Sequence, residues 1–125
     1  MAKAPDNSIW YATIHNVYRV DSSQNDGVLQ PQFSNYSFKS FDFFGDYLVG
    51  YTQDNQLLLC RNYNSSKVSV DTVSKRNCVW DKFCKIDSTH VLISTNNFYW
   101  LLTLFPPTDT LHYLVNAIEN PFIPL

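Results

Sequence analysis

Charge is scarce in this chain. Asp, Glu, Lys and Arg make up 16% of its 125 residues and sum to −2. Proteins that grip a phosphate backbone concentrate basic residues on one face. The most basic stretch here, Lys67, Lys75, Arg76, Lys82 and Lys85, is interleaved with Asp71, Asp81 and Asp87. No nucleic-acid partner is expected. Glycine is limited to Gly27, Gly45 and Gly50, too few and too dispersed for a backbone cradle around phosphate. Long hydrophobic runs are missing as well. The longest, Phe98–Phe105, falls far below the roughly 20 residues needed to cross a bilayer as a helix. Met1–Asp6 has no apolar centre of the secretory-leader kind. Cys60, Cys78 and Cys84 are odd in number, which suits free thiols in a reducing compartment better than a disulfide framework. A soluble intracellular protein, cytoplasmic or nuclear and without a membrane partner, is the expectation.

Catalytic and metal-binding patterns are also thin. Cys78, Cys84 and His90 stand at equal six-residue steps, whereas structural zinc sites use close pairs and a fourth ligand. They are read as two buried thiols and a turn histidine. His15, His90 and His112 have no elbow motif or paired-ligand motif around them, and nucleophilic catalysis needs a base within reach of the nucleophile. No catalytic residues, no metal, no small-molecule cofactor and no enzyme activity are expected.

What the chain does have is aromatic and apolar residues, 16% and 45% of the total, in a pattern that recurs at about 40 residues. The clearest copy is Tyr47-Leu48-Val49-Gly50-Tyr51-Thr52-Gln53-Asp54-Asn55-Gln56-Leu57-Leu58-Leu59. It returns as His90-Val91-Leu92-Ile93-Ser94-Thr95-Asn96-Asn97-Phe98-Tyr99-Trp100-Leu101-Leu102, and more loosely as Ile9–Val20. Each copy is an apolar run ending on Thr, a short polar turn with Asn, and a second apolar run. Asn and Asp suit such turns because they tolerate the left-handed backbone, so hairpin turns are predicted at Asp54-Asn55 and Asn96-Asn97. An aromatic strand precedes each later copy. At one constant offset, Phe38, Phe41 and Phe44 correspond to Trp80, Phe83 and Ile86. Phe41 and Phe83 are therefore expected to be equivalent core positions, and Trp80 and Trp100 to be structural.

The result is a single all-β domain over 1–125, with four-stranded modules at about 8–37, 38–78 and 79–125. The first module lacks a preceding aromatic strand, and the tail Pro121–Leu125 aligns with the strand that would supply it. That tail is expected either to pair beside the Trp10 strand or to reach a partner. One segment is ambiguous. Leu111, Leu114, Val115 and Ile118 have helical spacing, while the repeat register places a strand there, so a short C-terminal helix and a strand both stay open.

The Tyr47–Leu59 stretch resembles two families. It is similar to the hairpin of β-trefoils of the growth-factor and cytokine kind, whose three modules of about 40 residues would match this length. It also resembles a blade of a WD-repeat β-propeller, although no Gly-His pair opens the module and Asn55 stands where glycine is usual. Since propellers have about four to eight blades, three would be a segment completed by a dimer or a partner chain. The repeat architecture, the absence of a catalytic constellation and the surplus of apolar and aromatic residues point to a non-catalytic protein–protein interaction module, a subunit of a larger assembly engaging a protein partner or itself. Tyr63, Tyr99, Phe122, Ile123 and Leu125 are the candidate partner-binding residues. The alternatives are a carbohydrate-binding, lectin-like domain using loop aromatics, though no Gln-x-Trp signature occurs, and a small enzyme or an inhibitor, the latter using the loops around Asp21–Gln30 and Arg61–Lys67.

Overall fold

The computed structural model describes residues 1–21, 26–74, 80–87, 89–95, 98–104 and 113–119. The chain is all-β, as its composition and repeat imply. Strands β1 (Ala2–Lys3), β2 (Ile9–Ala12), β3 (Val17–Val20) and β4 (Val28–Leu29) form the first sheet. A 3-10 turn, Pro31–Phe33, leads out of it and buries Phe33. The second sheet contains β5 (Phe38–Phe44), β6 (Tyr47–Thr52), β7 (Leu57–Arg61) and β8 (Ser69–Ser74). The third contains β9 (Trp80–Lys85), β10 (His90–Thr95), β11 (Phe98–Leu104) and β12 (Tyr113–Glu119). Every pairing is antiparallel between chain neighbours, so each sheet is a four-stranded meander.

Local chemistry places the turns. Between β6 and β7, Asn55 takes φ 61°, the left-handed region where Asn is tolerated. Its N–H donates to the Thr52 carbonyl, and the Thr52 hydroxyl accepts from the Gln56 N–H. Thr13 repeats the device in the first sheet, its hydroxyl accepting from the Asn16 N–H at 3.2 Å. The Asp54-Asn55 turn is thus where the sequence puts it. Asn96-Asn97 lies outside the described residues, between strands whose register runs from Ser94 opposite Tyr99.

Two apolar cores divide the molecule into layers. In one, Trp10 and Val17 of the first sheet meet Phe41, Phe43, Leu48, Leu58 and Cys60 of the second. In the other, Phe44, Val49, Tyr51, Leu57 and Leu59 from the opposite face of the second sheet meet Trp80, Val91, Ile93, Trp100 and Leu102 of the third. The second sheet is therefore covered on both faces, and β6 is buried at every position. Polar bonds pin each junction. Arg19 donates to the Asn64 side chain and Gln32 to the Tyr63 carbonyl across the first. Across the second, Tyr51 donates to the Asp81 carbonyl and Lys85 to the Phe43 carbonyl.

Three expectations are corrected. The helix option for the C-terminal segment gives way to β12, which pairs with β11 from Phe98 opposite Glu119 to Leu104 opposite Tyr113; a ladder along the whole strand outweighs the helical spacing of a few apolar residues. The first sheet does not lack its fourth strand. Ala2 and Lys3 lie opposite Trp10 and Ile9, so both edges of β2 are taken and the place beside the Trp10 strand is not open to the tail. Residues 121–125 themselves lie outside the described residues. Lastly, Phe41 and Phe83 share a register position but not an environment. Phe41 is buried in the first core, whereas Phe83 is half-buried beside the second, and Ile86 is 56% exposed where Phe44 is fully buried. The reason is position: both are edge strands, but β5 belongs to the middle sheet, covered by both flanking sheets, while β9 belongs to an outer sheet and ends before Ile86.

Candidate interaction surfaces

Strand alternation gives each outer sheet one face toward the core and one away from it. In the first sheet, Trp10 and Arg19 share the inner face, the guanidinium lying 5.8 Å from the indole centroid. The opposite parity puts Ile9, Tyr11, Tyr18 and Val20 together on the outer face, in the pairs Ile9–Val20 and Tyr11–Tyr18, with Leu29 opposite Tyr18. Tyr11 and Tyr18 stack with centroids 5.2 Å apart and planes 18° from parallel. The Tyr11 ring also covers Gly27, where a Cβ would fall 2.3 Å from its hydroxyl oxygen. Leu29 is 45% exposed. This face is an aromatic ridge with aliphatic flanks.

In the third sheet the inner face carries Val91, Ile93, Trp100 and Leu102. Its outer face carries Lys82, Cys84, Leu92, Ser94, Tyr99 and Leu101, with Leu92 between Cys84 and Leu101 and Ser94 between Lys82 and Tyr99. Cys84, Leu92, Ser94 and Tyr99 line a recess of about 470 Å³ that reaches round the β9 edge to Asp81 and Phe83. Leu92, Tyr99 and Leu101 are half-buried, and Cys84 is exposed rather than the buried thiol expected, since it stands on the outward face of the edge strand β9. So the two ends of the stack differ in shape, with a ridge on one and a hollow on the other.

The candidate residues from the sequence are distributed unevenly. Tyr99 sits on the outer face of the third sheet, lining the recess. Tyr63 packs inward. It is 9% exposed and packs edge-on against Trp10 at 5.7 Å and against Phe43 at 4.9 Å, because its loop folds back over the first core. Phe122, Ile123 and Leu125 lie outside the described residues. Tyr11 and Tyr18 are the surface aromatics whose pairing the sequence reading missed. Their signal was the odd parity opposite Trp10 on a strand and its hairpin partner.

Polar clusters lie at the loop ends. Asp6 accepts from the Ser8 hydroxyl and backbone and from Arg19 at 2.7 Å, and these bonds, Ser8's first, hold its carboxyl below the usual range. A second recess, about 460 Å³, lies beside Asp46, Arg61 and Tyr63. At the start of β10, Asp87 accepts from the Thr89 and His90 backbone N–H groups, the Thr89 hydroxyl and His90 Nδ1. This cluster is no relay. Thr89 and Asp87 meet the same ring nitrogen, each at 2.9 Å, whereas a hydroxyl–imidazole–carboxylate triad uses both nitrogens. His15 is exposed in the β2–β3 turn, and His112 and Cys78 lie outside the described residues. Cys60 is buried in the first core, and burial pushes its thiol up to about 12, the behaviour of an inert thiol.

Among the described residues no group of three or more His, Cys, Asp or Glu side chains could hold a metal ion, and no helix is long and apolar enough to cross a membrane. Comparison with protein-family models, curated proteins and solved structures finds no match to this chain.

Proposed function

We propose that this chain is a non-catalytic protein–protein interaction module, a run of three propeller-type blades that works within a larger assembly. The observation that carries the reading is the contrast between covered and uncovered sheets. The middle sheet is packed on both faces, while each outer sheet turns a half-buried apolar face away from the stack: Ile9, Tyr11, Tyr18 and Val20 at one end, Leu92, Tyr99 and Leu101 at the other. Apolar sheet faces are stable when another layer covers them, and contiguous apolar patches on soluble proteins mark interaction sites. Four-stranded meanders stacked face to face favour the propeller segment over the trefoil, because propeller blades are successive four-stranded sheets.

A second reading rests on the Tyr11–Tyr18 stack, since paired aromatic rings also bind sugar faces. Hydrodynamic mass and a glycan array separate the two. An assembly larger than one chain, self-made or stoichiometric with a second protein, and no glycan retention are expected. A monomer that engages no protein but retains a glycan would replace the module by a lectin.

A further inference from the structure

The ridge at one end of the stack fits the hollow at the other. Resting on the interaction-module reading, we propose that the occupant of both outer faces is a second copy of this chain. The first sheet of each copy seats on the third sheet of the other, and two copies close a ring.

Continuity with the two internal junctions supports this. There, a sheet presents large aromatic side chains to its neighbour: Trp10 meets Phe43 at 5.4 Å across the first junction, and Phe44 meets Phe83 at 6.1 Å across the second. The outer face of the first sheet presents the same kind of feature, the stacked and half-buried Tyr11 and Tyr18. The outer face of the third sheet offers a receiver floored by Leu92 and small Cys84 and Ser94, part of a recess of about 470 Å³ that Lys82 and Tyr99 also line. Two ridges would collide and two hollows would leave a void, so the contact between copies is head to tail. Head-to-tail contacts grow into filaments unless the rotation closes. Three sheets per chain give a closed pair six sheets, inside the span of about four to eight blades that propeller rings adopt. Closure covers both apolar faces of every copy.

Sedimentation of the purified chain tests the proposal. The expected species has twice the 14.5 kDa chain mass. Tyr18→Glu spoils the ridge and Leu92→Arg spoils the hollow, and each variant alone is expected to sediment as a single chain. Mixing them restores a two-chain species, because the intact hollow of one variant still takes the intact ridge of the other. A wild-type monomer overturns the proposal, as does a dimer that only one of the two variants dissolves, or a mixture that stays single. Far-UV circular dichroism checks that the variants fold. If either does not, Cys84 decides in a Cys78→Ser chain. Its alkylation by a maleimide should slow as protein concentration rises, and a rate independent of concentration sinks the ring. A wild-type monomer that forms a stoichiometric complex with a different protein would end this inference and leave the interaction-module reading standing.

Discussion

Trp80, at the head of β9, donates its indole N–H to the backbone carbonyl of Asn55, 2.9 Å away across the junction of the second and third sheets. The acceptor belongs to the residue that carries the left-handed kink of the β6–β7 turn. One bond thus couples the geometry of a turn to the docking of the next sheet. Trp80→Phe keeps most of the apolar body but leaves that carbonyl without this donor, and should lower stability by about 1–3 kcal/mol. Trp80→Ala also empties the core position and should cost about 3–5 kcal/mol. Urea unfolding of both variants checks the ranking.

Gly50 is required by close approach. A Cβ there would fall 2.7 Å from two Phe38 ring carbons and 2.9 Å from the Phe41 Cβ. The Phe41 Cβ is anchored to the backbone of the paired strand and cannot swing aside. Gly50→Ala should therefore destabilise by about 1–3 kcal/mol through overpacking, despite alanine being the better residue elsewhere in a chain. A denaturation midpoint equal to or above that of the wild type would refute the close approach.

Phe41 and Phe83 should respond unequally to truncation. Phe41→Ala removes a ring packed against Phe38 and Phe43 and should cost about 3–5 kcal/mol. Phe83 is half-buried at an edge strand, touching Phe44 and Tyr51 from one side, so Phe83→Ala should cost distinctly less. Equal losses would restore the equivalence that the repeat alone suggests.

The Asp87 cluster sets a pH dependence. Bonds from the Thr89 backbone N–H, then from His90 and the Thr89 hydroxyl, hold the Asp87 carboxyl well below the usual carboxylate range. A folded-state pKa below the unfolded value stabilises the native state above the unfolded pKa. That contribution is lost as pH falls through the folded value. The wild type should therefore resist urea better than Asp87→Ala near neutrality, and the gap should narrow steadily in acid below the ordinary aspartate range. Since the carboxylate is solvent-exposed, the gap should be small. A gap that widens in acid would reverse the sign and reject the cluster's role.

The central hairpin was legible because three signals coincide within Tyr47–Leu59: two apolar runs, a Thr that closes the first, and an Asn able to take positive φ. Trp80 and Trp100 read as structural for the same reason, since their repeat positions are core in the second sheet. Other features left no such trace. Ala2–Lys3 is a two-residue strand, too short for any alternation, and its pairing opposite Trp10 arises from tertiary placement alone. Tyr63 looked like a loop aromatic, but its loop folds over Trp10 and Phe43, a contact between residues more than 50 positions apart in the first case. The segment around β12 carries apolar residues that satisfy two periodicities at once, and seven residues of ladder pairing settle it. At Ile86 the offset carries an apolar residue forward but not its environment, because β9 ends at Lys85 and Ile86 falls in the connection to β10, where Phe44 is still within β5.

The two-sided burial of β6 has a further consequence for the time the molecule spends open. A strand with neighbouring strands on both edges and apolar layers above and below has no local route by which water reaches its amides. Its exchange with solvent deuterium should follow global unfolding. The outer sheets, each with one half-buried face, have local routes, and their protection should rise whenever a partner covers that face. The middle sheet then serves as an internal clock for stability, while β2–β3 and β10–β11 report occupancy. One exchange experiment on the intact chain can tell a loss of partner from a loss of fold.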